Sequence, residues 1–305
     1  MKEKNSLEGI LLATLAALIW SGNFIVARAV YKEISPGQLA FFRWATATLL
    51  LAPFAVKTFI REWPLLKQHL SWLFWLSLMG ISLFNTFVYV AGHHTSAINL
   101  ALIGTTSSPI FANILARIFL KEKFSFNKIL GMLICIAGIL LLLSKGNLYN
   151  LLKLRFSEGD AWVLLAALSF AVYNIFVRKR PAIMSPLNML FSSFLLGTLL
   201  LIPFFIIETN NNAPINWDLQ MTGVIIYLGL GASIISFFIW NKAIQLLGAG
   251  RTALFGNLIP VFSSLEAVFI LNEEFSLVHV VSMVVVLVGL VIANLPERNT
   301  GMFES

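Results

Sequence analysis

The sequence predicts an all-α integral membrane protein of ten transmembrane helices, arranged as two five-helix inverted-topology repeats. Three observations carry that prediction. The 305 residues are 58% hydrophobic and only 11% charged, where a soluble domain is nearer a quarter charged. The apolar residues fall into ten blocks, each close to the roughly 20 residues that span a bilayer core as a helix. The chain also repeats itself at an offset of about 150 residues, TLLLAPF at 48–54 returning as TLLLIPF at 198–204.

The first block, 7–30, follows Lys2 and Lys4 and has the outline of a signal peptide, but it is long enough to span and its counterpart lies inside the chain. The second, 37–59, starts after Ser35 and Pro36, a helix-opening pair. The third is 70–91 and the fourth 97–118, with Pro109 inside; the fifth, 126–144, carries Gly131, Cys135 and Gly138. The sixth, 158–178, restates the first: LAALIWSGNFIVAR from Leu15 becomes LAALSFAVYNIFVR from Leu165, with Arg28 on Arg178. The seventh, 186–207, again follows a Ser-Pro pair, Ser185 and Pro186. The eighth is 219–241, the ninth 251–271 and the tenth 276–295; here the offset slips by one, so that Pro109 meets Pro260, Glu122 meets Glu273 and Gly138 meets Gly289. Two halves, 7–145 and 155–295, follow. The short alternating segments of a membrane β-barrel are not the pattern here.

Basic residues orient such a protein. With the N-terminus cytoplasmic, inside segments hold 15 of the 21 Lys and Arg and outside loops hold 5, with Arg43 inside a helix. Both termini are therefore expected in the cytoplasm, the membrane being the cell membrane (the inner membrane in a bacterium). Five helices per half then invert the second half relative to the first. The loop with Lys121, Glu122 and Lys123 falls inside and its twin, Asn272, Glu273 and Glu274, falls outside. The bias changes sign as the inversion requires, independently of the number of helices.

The net charge of +7 is scattered over short loops with no basic face, which argues against nucleic acid as a partner. Cys135 is the single cysteine, so no disulfide can form within the chain. His93 and His94 have no Cys or acidic neighbour of metal-site spacing, and no nucleotide or hydrolase motif is present. No cofactor, no metal and no enzymatic activity are expected.

Trp20-Ser21-Gly22-Asn23, Ser35-Pro36 and Phe42-Arg43-Trp44, with Pro109 thirteen residues before Glu122 and Pro260 thirteen before Glu273, resemble the drug/metabolite transporter superfamily, in its ten-helix EamA branch. The likeness covers about 7–295. It implies a central cavity lined mainly by helices 1, 3, 4, 6, 8 and 9, and export of small metabolites.

The polar and aromatic exceptions in apolar helices mark the candidate site. Arg43, two turns into helix 2, has Ser193 as its repeat partner, so only one half carries the charge. It either faces the cavity, snorkels to the interface or anchors a structural hydrogen-bond network. Asn85 and Tyr89 share a face of helix 3, and Ser236 and Trp240 hold the same positions in helix 8. Trp20 and Asn23 in helix 1, Tyr173 and Asn174 in helix 6, and Asn257 in helix 9 complete the expected substrate cavity. Pro109 and Pro260 are expected to kink helices 4 and 9, the former within a polar run of Thr105, Thr106, Ser107 and Ser108. Glu266 is the one carboxylate well inside a helix, hence the candidate to carry a coupling proton and a possible ion-pair partner for Arg43. Gly131 and Gly138, with Ser282 and Gly289 opposite them in the repeat, point to packing of helices 5 and 10 or to a homodimer contact. The expected partners are thus a small-molecule substrate, the lipid bilayer, and a proton or counter-solute. A secondary transporter such as an amino-acid exporter fits best; a channel, a receptor or a membrane enzyme are the alternatives.

Overall fold

The computed structural model describes residues 2–30, 32–94, 97–122, 125–144, 146–147, 149–152, 157–211, 214–271 and 277–295. All regular structure among them is helical. In chain order α1 is Lys2–Ala29, α2 Pro36–Gln68, α3 Leu70–His94, α4 Ala97–Leu120 and α5 Phe126–Leu143. After a one-turn helix at Tyr149–Leu152 come α6 Glu158–Arg178, α7 Pro186–Asn211 and α8 Leu219–Leu247. The run 249–271, here α9, joins Ala249–Ala253, a tight 3-10 turn at Leu254–Asn257 and Leu258–Leu271; α10 is Leu277–Asn294.

Seven of these helices are long and apolar enough to cross a membrane; Ser107–Leu120 and Phe126–Leu142 are apolar but shorter. The α9 run reaches its length only across the 3-10 turn. There Pro260 lacks the N–H that would bond four residues back, and the chain tightens just before it. α4, in contrast, runs through Pro109 as one α-helix. At 33 residues α2 outruns its predicted block, continuing past Pro53 to Gln68 and containing Pro64. Large side chains on the outer faces stay bare, among them Leu49 at 72%, Phe54 at 74% and Val291 at 62% exposure. Water would penalise that surface and lipid does not.

Helix ends follow local chemistry. Ser35 opens α2, its N–H donating to Gln38 Oε1 at 3.3 Å, with Pro36 pre-set in the first turn. Ser157 opens α6 likewise through Asp160 Oδ2 at 2.6 Å. α2 and α7 then close each other's exposed first turns. Glu208 Oε2, near the end of α7, accepts from Gly37 N at 2.7 Å, while Glu62 Oε2, near the end of α2, accepts from Ser185 N at 3.1 Å and Asn188 Nδ2 at 2.9 Å. A carboxylate there meets the positive end of the helix dipole. The two helices are therefore antiparallel partners.

α5 and α10 pack even more closely. A methyl group on Gly131 would lie 2.4 Å from Gly289 O, and one on Gly289 would lie 2.7 Å from Gly131 O. The small residues thus serve contact between helices of one chain. Around these two pairs, α1 packs on α8 and α9, and α6 on α3 and α4.

α3 and α8 each widen into a π-helix, at Leu78–Leu83 and Tyr227–Ile235. Advanced by the repeat offset of 151, residues 78–83 fall at 229–234, inside the second segment. Such widening redirects carbonyls and is frequent at functional sites.

Candidate functional site

A cavity of about 860 Å³, its open side included, lies between α1, α2, α3, α4, α6, α8 and α9. Five of the residues expected from the sequence line it: Trp20, Asn23, Arg43, Asn85 and Trp240. Pro109 and Ser108 lie on the same wall.

Arg43 is 1% exposed and does not snorkel. Its Nε donates to Ser233 Oγ at 2.7 Å and its Nη2 to the Ala232 carbonyl at 3.0 Å. Its Nη1 reaches Asn85 Oδ1 at 2.8 Å, Tyr89 Oη at 3.0 Å and Asn23 Oδ1 at 3.1 Å. The guanidinium also lies 5.0 Å from the Trp44 ring centroid. A charge at membrane depth costs a few kcal/mol, about 2.5–3.5 on insertion scales, and here neutral oxygens offset it. The expected pairing with Glu266 is not what the structure shows. Glu266 Oε1 accepts from Ser21 Oγ at 2.6 Å, on a stretch of α9 outside the cavity wall, and Oε2 is buried without a partner. The π segment of α8 is what brings Ala232 and Ser233 to the cation; the same Ala232 carbonyl accepts from Trp20 Nε1 at 2.8 Å.

The remaining expected residues support the wall from behind. Tyr89, 4% exposed, holds Arg43. Asn174 accepts from Trp240 Nε1 at 3.1 Å, and Tyr173 donates to Asn241 Oδ1 at 2.7 Å while stacking on Phe170. Ser236 donates within its own helix to Gly231 O at 3.0 Å. Asn257 is fully buried in the 3-10 turn, outside the cavity lining. The side chains of Thr105 and Thr106, and all of Glu273, lie outside the described residues.

Sequence reasoning missed the apolar wall. Phe84, Val163, Ala166, Phe170 and Ile259 are among the apolar residues of the lining. Phe84 stacks on Phe170 at 4.6 Å between centroids, and Trp20 and Trp240 meet at 4.9 Å. No compositional signal separates such residues from lipid-facing ones, although Phe170 stands at the repeat position of Trp20.

Comparison with known proteins gives a consistent result. The EamA-like transporter family matches the chain twice, at residues 7–144 and 157–295. An uncharacterized transporter of Archaeoglobus fulgidus is 28% identical over 87% of this chain and 89% of its own length. The uncharacterized transporter YyaM of Bacillus subtilis is 27% identical over 95% and 96%, and a chloroplastic WAT1-related protein of Arabidopsis thaliana is 27% identical over 92% and 68%. One solved crystal structure shares the fold, with a TM-score of 0.73 at 17% identity over 96% of this chain and 97% of that one.

Proposed function

We propose, from the premise that this chain belongs to the EamA-like transporter family, that it is a secondary carrier working by alternating access. It is a multi-pass membrane protein. Ten spans form two inverted halves, 7–145 and 155–295, with both termini cytoplasmic. The halves rock about the central cavity and export a small amphipathic metabolite, such as an amino acid or related compound. Glu266 is the candidate proton carrier.

The observation that carries this reading is the exchange symmetry of the helix contacts. α1 packs on α8 and α9 as α6 packs on α3 and α4, while α2 with α7 and α5 with α10 pair with their own counterparts. An inverted repeat predicts that pattern, and with it a site shared by both halves. The site's chemistry agrees: flat apolar rings and a few polar groups, suited to an amphipathic solute.

Reconstitution tests it. Purified protein in liposomes, loaded with one unlabelled metabolite at a time, should accumulate external label by counterflow, and the rate should saturate. Flux that neither saturates nor shows counterflow would identify a channel and remove the carrier reading.

A further inference from the structure

We propose that the cavity selects organic carboxylates with a flat apolar body over the matching amino acids and amines. The inference rests on the carrier reading for the cavity's use, and on the geometry below for its selectivity.

The cation organises the donors. Arginine can only donate hydrogen bonds, so Asn23 and Asn85, both bound to Arg43 Nη1, must turn Oδ1 toward it. Their amide nitrogens are thereby turned away. Asn85 Nδ2 is buried with no hydrogen-bond partner, on a residue that lines the cavity. A desolvated N–H donor, polarised by an adjacent guanidinium, calls for an acceptor oxygen from the solute. The Arg43 charge, met only by neutral oxygens, adds a positive potential that a carboxylate would neutralise.

The rest of the cavity has no matching place for an ammonium group. Among the described lining residues none is acidic; Glu266, with Oε1 on Ser21 Oγ and Oε2 unpartnered, lies off the lining. An α-ammonium would lose its water beside a like charge. The indoles offer faces only, since Trp20 Nε1 is spent on Ala232 O and Trp240 Nε1 on Asn174 Oδ1. Phe84, Phe170 and the two indoles, packed on one another, thus offer a planar apolar group one continuous aromatic wall, and Asn85 holds the acid once the solute uncovers its buried amide.

Three ligands that share one phenyl-ethyl body separate the charges: 3-phenylpropanoate, phenylalanine and phenethylamine. Equilibrium binding of each to the purified full chain in detergent is the measurement. The expected result is 3-phenylpropanoate bound about tenfold or more tighter than phenylalanine, with phenethylamine weakest. Asn85→Asp keeps an oxygen for Arg43, replaces the free donor and cancels the cation; it should weaken the acid about tenfold and erase the preference. Equal or tighter binding of phenylalanine or phenethylamine overturns the proposal, as does failure of the acid to bind at millimolar concentration, or wild-type preference in Asn85→Asp. Counterflow is scored separately. Acid binding without any flux counts against the carrier and leaves the site standing, whereas amino-acid counterflow without acid binding does the reverse.

Discussion

Thr48 and Thr198 occupy matching positions in the two halves, 150 residues apart, and their hydroxyl oxygens lie 3.2 Å apart. A second pair of counterparts also touches: Cys135 Sγ donates to Val286 O at 3.5 Å, at the later offset of 151. Equivalent residues meet each other only where a symmetry axis passes between them. On the two-repeat reading, the axis runs through α2 with α7 and through α5 with α10, the pairs held by carboxylates at their ends and by glycine contact.

If the two halves rock as proposed, the α2–α7 contact on that axis is expected to stay fixed through the cycle. Thr48→Cys with Thr198→Cys, in a Cys135→Ala background, should be joined by a short thiol cross-linker within one chain. Cross-linked protein should keep its counterflow rate within about twofold; a loss beyond about tenfold would show that this pair separates during transport.

Glu122 closes the start of α9 from the end of α4. Its Oε1 accepts from Ala249 N at 3.0 Å, and Gly248 turns the chain there at φ +92°, where a Cβ would lie 2.7 Å from the same oxygen. Glu122→Ala should lower stability by about 1 kcal/mol, the usual worth of such a cap. Gly248→Ala should cost more, since φ +92° with ψ 160° is backbone that residues other than glycine almost never adopt, a strain of about 1–3 kcal/mol added to the collision. Thermal unfolding in detergent measures both, and a neutral Gly248→Ala would refute the steric account.

Tyr89 and Arg43 should respond differently. Tyr89→Phe removes one of three oxygens around Arg43 Nη1 and leaves Asn23 and Asn85 in place. Solute affinity should fall by about threefold or less, with a stability loss of about 1 kcal/mol. Arg43→Lys keeps the charge but not the planar fork that reaches Ser233, Ala232 and Asn85 together, so affinity should fall by about tenfold or more. A lysine variant with unchanged affinity would reduce Arg43 to a point charge.

Glu266→Gln tests coupling. If a proton drives transport, the variant should lose acceleration by an imposed pH gradient and retain solute exchange. A well-folded variant that still responds to the gradient removes Glu266 from this role.

Topology is the remaining test. A reporter fused after Arg298 should read as cytoplasmic and one inserted near Asn211 as external. The opposite pattern would reverse the orientation of both halves.

Membrane residence, the repeat and the helix-opening Ser-Pro pairs were legible in the chain, because each depends on local composition or on self-similarity. The polar exceptions were legible as well: Trp20, Asn23, Arg43, Asn85 and Trp240 stand out in apolar helices, and polar groups avoid lipid. What each one touches was not. Helical period places Asn85 and Tyr89 on one face, yet whether that face meets solute or another side chain depends on the neighbouring helix, and Arg43 arrives from α2 to take both. The same limit hid the ends of α2 and α7, where Glu62 and Glu208 lie past the apolar blocks and only the antiparallel pairing sets each against the other helix. It also hid Phe84, Phe170 and Ile259, since in a bilayer the protein interior and the lipid are equally apolar and hydropathy cannot divide a cavity wall from an outer face. Packing assigns those roles, because the π segment of α8, the packing of α6 on α3 and α4 and that of α1 on α8 and α9 set which apolar side chains look inward.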